Sequence, residues 1–398
     1  MLINRENYLD KLVGYTDKNL IKVITGVRRC GKSFLLQLFR NALVTRGIPG
    51  DHIIYLNFED LSFQDIQDGQ TLNSYITQRM VDQGRYYILL DEVQFVRNWE
   101  KAVNSLRLDE HVDLTLTGSN ASLLSSELAT LLAGRYVQIE MFPLSFVEYL
   151  EFSGQSGSDN ETAFNDYMQY GSFPTVVLNE SKQLKADFLR ALYDSIIIKD
   201  IVTRHKVKDV ETLHKVVRFL FDTIGNPLSV QKIINTIKSA GGESSHEMIG
   251  NYLKYLEEAY VFYPVKRFDL KGKEILKTQG KYYGVDSGLR NLIVSPASVN
   301  FGFVLENLVF LELKHRGYEV FIGKMNDMEI DFYCRKLDEI FYIQVAQSLV
   351  DEQTRAREFK SLLSIPDNYP KMILSMDRID LSSQGIEHLN LIKFLTNQ

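Results

Sequence analysis

The sequence predicts an α/β fold whose first part is a doubly wound parallel sheet. Within residues 20–150, short apolar runs alternate with amphipathic stretches such as 33–47. The apolar runs are 21–26, 52–58, 86–92, 112–118 and 136–142. Runs of this length without polar alternation are typical of strands buried on both faces. Because strands and helices alternate along the chain, we expect the strands to lie parallel.

Composition and charge limit the classes of function. The chain has 398 residues, of which 45% are apolar and 24% charged, as in a globular protein of two or three domains. A net charge of −6 gives no global positive field, so any nucleic-acid surface must be local. No apolar run approaches the ~20 residues that span a bilayer, and the start of the sequence has no signal-peptide core. Two cysteines cannot form a disulfide framework or a zinc cluster. We therefore expect a cytoplasmic protein.

Residues 26–33, GVRRCGKS, fit the phosphate-binding pattern G-x-x-x-x-G-K-S/T throughout. The segment follows an apolar run and opens an amphipathic helix, so its backbone amides and the helix N-terminus would face phosphate oxygens. Lys32 would reach the β- and γ-phosphates, and the Ser33 hydroxyl would bind magnesium. The sequence thus predicts binding of ATP and Mg²⁺, with an ordinary glycine turn as the alternative. The expected nucleotide contacts are Gly26, Val27, Arg28, Arg29, Cys30, Gly31, Lys32, Ser33 and Phe34.

Residues 86–94, YYILLDEVQ, form a second motif, an apolar strand that ends in two acids. Asp91 would hold the magnesium ion, and Glu92 would polarise the attacking water. Acids often end strands, so this interpretation depends on the phosphate-binding loop upstream. Together the two segments predict ATP hydrolysis.

Four further positions have both a functional and a structural interpretation. Thr117 lies near the end of the strand 112–118, and Ser119 and Asn120 follow it. These residues could contact the γ-phosphate or the water, or could form a polar strand end that caps a helix. Among them we favour Asn120 as a catalytic residue. Arg135 could act as an arginine finger, within one chain or between chains of a homo-oligomer, or could be a solvated arginine.

The remainder of the chain predicts three domains after a core at 1–150. Residues 151–225 read as a helical lid or connector, and 286–398 as a small α/β domain. Between them, residues 226–285 contain two helices and a hairpin turning at Lys271-Gly272, the pattern of a winged helix.

Several segments, in this order, resemble a family of prokaryotic AAA-type P-loop ATPases with a C-terminal domain of uncharacterised function. They are GVRRCGKS, YLNFED, LLDEVQ, LTGSNASLL, LAGRY, FPLSFVEYL, YGSFPTVVL, IIIKDIVTRH, YYGVDSGLRN, EIDFYC and FYIQVAQSL. The resemblance covers nearly the whole chain. It implies a strand inserted between the P-loop and Walker-B strands, a helical lid, a winged helix and a restriction-endonuclease-like end.

The residues of that C-terminal domain indicate a degenerate nuclease. Glu306 would be the helix acid of such a site, with Glu329 and Asp331 on the next strand. The (D/E)-x-K position reads Gln344-Val345-Ala346, which lacks an acid and a lysine. We therefore expect no DNA cleavage with magnesium or manganese, and an ATP-regulated nuclease is the least favoured function.

The hairpin at 264–281 concentrates basic residues, namely Lys266, Arg267, Lys271, Lys273, Lys277 and Lys281. Such clusters contact phosphates, so non-specific duplex DNA binding is one hypothesis. A solvated hairpin and a protein-packing winged helix are the alternatives. The leading hypothesis for the whole chain is an ATP-driven switch or motor acting on DNA or a protein partner. A nucleotide-sensing module with little turnover is the competing one.

Overall fold

The structure, a computed structural model, describes residues 5–121, 134–155, 160–239, 241–276, 280–294 and 301–397. The chain divides into two compact units. The first comprises Met1–Met141 with Glu258–Tyr260, and the second comprises Phe142–Glu257 with Val261–Gln398. The predicted division into four domains stays a prediction.

The first unit is built on a five-stranded sheet in the order β2-β3-β4-β1-β5. The strands are β1 (Ile21–Thr25), β2 (Ile53–Asn57), β3 (Tyr86–Asp91), β4 (Val112–Gly118) and β5 (Tyr136–Glu140). All four pairings are parallel, which confirms the predicted parallel α/β core. Strand β4 lies between β1 and β3, so the inserted strand implied by the resemblance is present.

Four helices of this unit are described: α1 (Glu6–Gly14), α2 (Lys32–Thr45), α3 (Gly69–Thr77) and α4 (Trp99–Leu106). Helix α3 begins with a capping box between Asp68 and Thr71, which satisfies backbone donors at the helix start. Strand β3 is buried at every residue, and aliphatic side chains of β1, β3 and β4 pack with α3 and α4 in one apolar cluster. Burial on both faces explains why these strands read as unbroken apolar runs.

The helices of the second unit account for most of residues 146–258 and recur later in the chain. They are α5 (Phe146–Phe152), α6 (Asn160–Tyr170), α7 (Pro174–Val177), α8 (Lys182–Ser195), a π-helix (Ile196–Thr203), α9 (Val210–Asp222), α10 (Val230–Ser239), α11 (His246–Glu258), α12 (Ser287–Ile293), α13 (Phe301–His315), α14 (Glu352–Leu363) and α15 (Leu391–Thr396). No described helix is both long enough and apolar enough to cross a membrane.

The strands of this unit form two sheets. They are β6 (Phe262–Val265), β7 (Arg267–Asp269), β8 (Glu274–Ile275), β9 (Lys281–Gly284), β10 (Glu319–Met325), β11 (Met328–Lys336), β12 (Glu339–Val345), β13 (Lys371–Ser375) and β14 (Glu387–Asn390). Strands β6 and β9 pair antiparallel with each other, and the other strands form a seven-stranded sheet in the order β14-β13-β12-β11-β10-β7-β8.

The predicted hairpin at 264–281 is therefore divided between the two sheets. Its base is the β6–β9 pair, whereas β7 and β8 at its tip pair antiparallel and turn between Asp269 and Glu274, around the predicted Lys271-Gly272. Strand β7 also pairs with β10, with Arg267 opposite Ile322. The larger sheet thus crosses the predicted boundary at residue 285.

Candidate functional site

The phosphate-binding loop connects β1 to α2 and depends on two glycines with positive φ. Gly26 has a φ of 144°, and a Cβ there would lie 2.1 Å from the carbonyl oxygen of Met141. Gly31, with a φ of 108°, precedes α2 as its N-cap without a side-chain cap. The first amides of α2 therefore lack a side-chain acceptor from the N-cap residue, which leaves them suited to an anion.

Lys32 is buried against this loop. Its Nζ donates hydrogen bonds of 3.1 Å to the carbonyl oxygens of Gly26 and Val27. The same Nζ lies 3.9 Å from Glu92 Oε1, and the Lys32 side chain is 3% exposed. The structure thus brings the lysine of the first motif beside the second acid of the other motif.

Asp91 ends β3 and is completely buried. Its Oδ1 accepts a 2.5 Å hydrogen bond from Thr117 Oγ1, and its Oδ2 accepts one of 3.1 Å from Tyr55 OH. Burial raises the pKa of the Asp91 carboxyl, while hydrogen bonds from Thr117, Ser33 and Tyr55 oppose that rise. A divalent cation beside Asp91 would favour its ionised form, and the hydrogen bond with Ser33 places both predicted magnesium ligands together.

Glu92 follows in a left-handed backbone conformation with a φ of 52°. Its backbone amide donates a 2.9 Å hydrogen bond to Thr117 Oγ1. Its carboxylate Oε2 accepts hydrogen bonds from Gln94 Nε2 and, at 3.3 Å, from Ser119 Oγ. The Thr117 hydroxyl therefore contacts both acids at once, by donating to Asp91 and accepting from Glu92.

The other residues predicted in the loop have different exposures. Val27 and Cys30 are buried, Phe34 and Arg28 are half-buried, and Arg29 is exposed. Burial raises the pKa of the Cys30 thiol, which disfavours the reactive thiolate and fits a small structural residue.

Arg28 and Asn120 also have defined positions near this edge of the sheet. Arg28 Nη1 lies 4.0 Å from Glu59 Oε1, a carboxylate in the segment after β2. Asn120 is buried two residues after the end of β4, at the same edge as Asp91. A catalytic role for Asn120 stays a prediction.

Arg135 requires a correction, because it lies at the wrong end of the sheet to act within its own chain. Its carbonyl oxygen accepts a hydrogen bond from Ile21 N at 2.9 Å, at the start of β1. The phosphate-binding loop follows the other end of β1, after Thr25. Thr25 is about 13 Å from Ile21 at the rise of a parallel strand. Only a role towards another subunit's nucleotide remains open for this exposed arginine.

Two residues of the site escaped the sequence analysis, namely Tyr55 and Gln94. Tyr55 lies in β2 opposite Leu89, and nothing in its apolar run distinguishes it. Burial and the Asp91 carboxylate raise the pKa of Tyr55 to about 12, so it remains a phenol donor. Gln94 lies inside the segment LLDEVQ, and its proximity to Glu92 was the one available signal.

Two known proteins resemble this chain over at least 94% of its length. An uncharacterised protein of Haemophilus influenzae is 42% identical and covers 99% of this chain and 98% of its own length. An uncharacterised protein of Methanocaldococcus jannaschii is 34% identical, over 94% of this chain and 85% of its own length. Residues 18–150 match the family described as an AAA domain, and 161–298 match a domain of unknown function (DUF8612). The chain belongs to the family of these two relatives and carries an AAA domain.

One solved structure supports the same conclusion at the level of the fold. The Walker-type ATPase PABY2304 of Pyrococcus abyssi superposes with a TM-score of 0.51 at 14% identity, covering 73% of this chain and 95% of that one. At this identity the likeness concerns the fold alone. The AAA domain and its P-loop are thus supported by topology, motif and family together.

Outside the AAA domain, the acids predicted for a degenerate nuclease do come together, and a lysine joins them. Lys281 Nζ of β9 lies 2.9 Å from Glu306 Oε1, 2.9 Å from Glu329 Oε1 and 3.8 Å from Asp331 Oδ1. Glu306 also accepts a hydrogen bond from Tyr283 OH. The (D/E)-x-K position itself still lacks an acid and a lysine, and the lysine beside these acids comes from β9, a strand distant in sequence.

Gln344 also has an acidic neighbour, although not one from its own strand. Its Oε1 accepts a 2.6 Å hydrogen bond from the backbone amide of Asp331, and its Nε2 donates one of 2.6 Å to Glu358 Oε2. These residues line an open cleft of about 780 Å³. The carboxylate of Glu358, on α14, thus lies beside Gln344, the neutral amide at the (D/E)-x-K position.

The ionisation of this cluster follows from burial and mutual charge. Burial alone would lower the pKa of Lys281, but Glu306, Asp331 and Glu329 outweigh it and raise that pKa. Burial raises the pKa of Asp331 well above its ordinary range. Lys281 therefore remains an ammonium ion that cannot take a proton from water, and it is a structural cation between carboxylates.

Two bases of the predicted DNA-binding hairpin, Arg267 and Lys281, differ from the expectation. Arg267 Nη2 pairs with Glu329 Oε2 at 2.5 Å, and Lys281 is buried, so neither presents a free cation to phosphate. Lys277 lies outside the described residues. Lys266, Lys271 and Lys273 are exposed.

Replacing Lys281 by methionine should destabilise the second unit, because it leaves Glu306 and Glu329 without their shared cation. Breaking a buried ion pair in this way costs about 3–5 kcal/mol. Hydrogen exchange of the β11 amides measures the change locally, since a chain of two units need not unfold in one step. The control is Lys273→Met at an exposed position, expected within about 0.5 kcal/mol. Equal exchange in both variants would contradict the structural role.

Proposed function

We propose that the protein binds Mg²⁺·ATP at the edge of the parallel sheet and hydrolyses it. The observation that carries this proposal is the convergence of Lys32, Ser33, Asp91 and Glu92, which come from two distant segments. Lys32 is 3.9 Å from Glu92, and Asp91 hydrogen bonds with Ser33. These are the groups that phosphoryl transfer from ATP to water requires.

Each residue has a distinct part in the proposed reaction. Amides of the loop and of the first turn of α2 bind the phosphates, and Lys32 exchanges its two carbonyl acceptors for phosphate oxygens. Ser33 and Asp91 would hold Mg²⁺, which neutralises charge on the β- and γ-phosphates when bound. Glu92 takes a proton from water as the water oxygen bonds to the γ-phosphorus and the bond to the ADP oxygen breaks.

We further propose that turnover acts as a conformational switch on a partner, DNA or protein. Two helices within 226–285, α10 and α11, precede the antiparallel β6–β9 pair, which supports a winged helix there. The exposed bases Lys266, Lys271 and Lys273 support a weak, non-specific DNA contact. Because Lys281 is held between carboxylates, we propose that the neighbouring cleft binds or packs and does not cut DNA.

Steady-state phosphate release tests the hydrolysis proposal. Glu92→Gln should bind ATP but release phosphate more slowly by a factor of about 100 or greater, because a positioned base contributes at least this factor. Lys32→Ala should lose ATP affinity as well. The matched controls are Glu110→Gln and Lys101→Ala, which change exposed residues of the same unit.

Two results would contradict the proposal in different ways. Phosphate release no faster in the wild type than in Lys32→Ala removes the enzyme function. ATP binding together with equal phosphate release in the wild type and Glu92→Gln favours a nucleotide-sensing module in which turnover is incidental.

A mobility-shift titration with duplex DNA at low salt tests the partner. We expect a retarded complex. When Lys266, Lys271 and Lys273 become glutamate, the slope of log binding constant against log salt concentration should fall by about one unit per lysine. The control variant reverses the exposed Lys182, Lys208 and Lys393, with the same change in net charge. The DNA should be recovered uncut with Mg²⁺ or Mn²⁺. Equal binding by both variants removes the hairpin as a DNA contact, and cleavage lost in Asp331→Ala would restore the nuclease.

A further inference from the structure

The carboxylate of Glu92 has two oxygens in different surroundings. Oε2 accepts hydrogen bonds from Gln94 Nε2 and Ser119 Oγ. Oε1 lies on the side of Lys32 Nζ, at 3.9 Å, and Lys32 is the residue that would bind the β- and γ-phosphates. Oε1 therefore lies on the side where Lys32 would bind phosphate, whereas Gln94 and Ser119 hold the other oxygen.

Gln94 has a second polar side-chain atom that does not take part in the hydrogen bond to Glu92. Its side-chain Oε1 is buried and has no hydrogen-bond partner among the described residues. A buried acceptor left unpaired is costly, and such an atom in a site calls for an explanation. Exchanging the two amide atoms would not help, because it would set the amide oxygen against the Glu92 carboxylate.

We infer that Gln94 positions the attacking water, and this inference rests on the proposed hydrolysis. The Nε2 and Oε1 atoms of Gln94 belong to one planar amide. The hydrogen bond from Nε2 to Glu92 therefore also fixes Gln94 Oε1 beside the Glu92 carboxylate. A water there donates one hydrogen to Glu92 Oε1 and the other to Gln94 Oε1. Its oxygen lone pair is then directed away from both acceptors, towards the γ-phosphorus.

The inferred step balances without any further reactant. The water oxygen forms a bond to the γ-phosphorus, and the bond between that phosphorus and the bridging oxygen breaks. The electron pair leaves with ADP, and the proton of the water passes to Glu92 Oε1. Gln94 accepts a hydrogen bond throughout and gains or loses no proton, so it is a positioning residue and Glu92 is the base.

The pH dependence of kcat distinguishes two roles of Gln94, namely positioning the water and only holding the Glu92 carboxylate in place. If Gln94 only holds Glu92, then Gln94→Met removes a hydrogen bond to the carboxylate, which moves the acid limb of the profile to higher pH and leaves the plateau unchanged. If Gln94 also accepts from the water, the plateau itself falls, by about 10- to 100-fold, as expected when a reacting group is misplaced. Ser119→Ala, which removes a donor to the same carboxylate oxygen, should lower the plateau less than Gln94→Met.

A second variant keeps the test decisive if Gln94→Met folds poorly. Gln94→Glu is nearly isosteric, but at high pH its carboxylate repels Glu92 and cannot donate to it. As the pH falls, the pair takes up a shared proton, and a protonated carboxyl can donate to Glu92 and accept from the water as the amide does. Gln94→Glu should therefore recover activity at low pH, whereas Gln94→Met should not. Gln64→Met at an exposed position is the control for the substitution itself.

Failure of the Gln94 inference and failure of the proposed hydrolysis give different results. ADP binding measured by calorimetry should stay within about two-fold in the Gln94 variants, because the residue acts on water. A lowered plateau with unchanged ADP affinity supports the inference. A shifted acid limb alone, or an unchanged profile, overturns it while leaving the proposed hydrolysis intact. If the wild type releases phosphate no faster than Lys32→Ala, both proposals fall together.

Discussion

The hydroxyl of Thr117 is the interaction on which the candidate nucleotide site depends. It donates its single hydrogen to Asp91 and accepts from the amide of Glu92, across the β3–β4 pair. Glu92 has a left-handed backbone, a conformation that costs about 1–3 kcal/mol and persists only where the surrounding structure fixes it. The inserted strand β4 thus fixes both acids relative to the loop that follows β1.

The parallel direction of the strands explains which site residues the sequence could reveal. The P-loop and the acids of β3 are contiguous motifs, and all parallel strands end at one edge, so their meeting followed from the pattern. Tyr55 and Gln94 could not be found in that way, because their roles depend on contacts with Asp91 and Glu92. Arg135 looked catalytic in sequence, but it precedes β5 and therefore lies at the opposite edge.

In the second unit, long-range pairing limited what the sequence could tell. Lys281 appeared to be one of several hairpin bases, yet it pairs with Glu306 and Glu329, which follow it in later elements. Likewise, the tip of the hairpin extends the sheet of the C-terminal part through β7 and β10. Helices, strands and the hairpin turn were readable from periodicity. The sharing of a sheet and of a charge cluster was not, because neither leaves a local pattern.

The central claim is that one site, built from Ser33 and Asp91 beside the P-loop, holds the metal of Mg²⁺·ATP. Electron paramagnetic resonance with Mn²⁺ in place of Mg²⁺ tests it most directly, because bound and free Mn²⁺ give different signals. We predict one ATP-dependent Mn²⁺ per chain, weakened in Ser33→Ala and in Asp91→Asn but not in the exposed control Asp109→Asn. Unchanged ATP-dependent Mn²⁺ binding in both site variants would contradict the account.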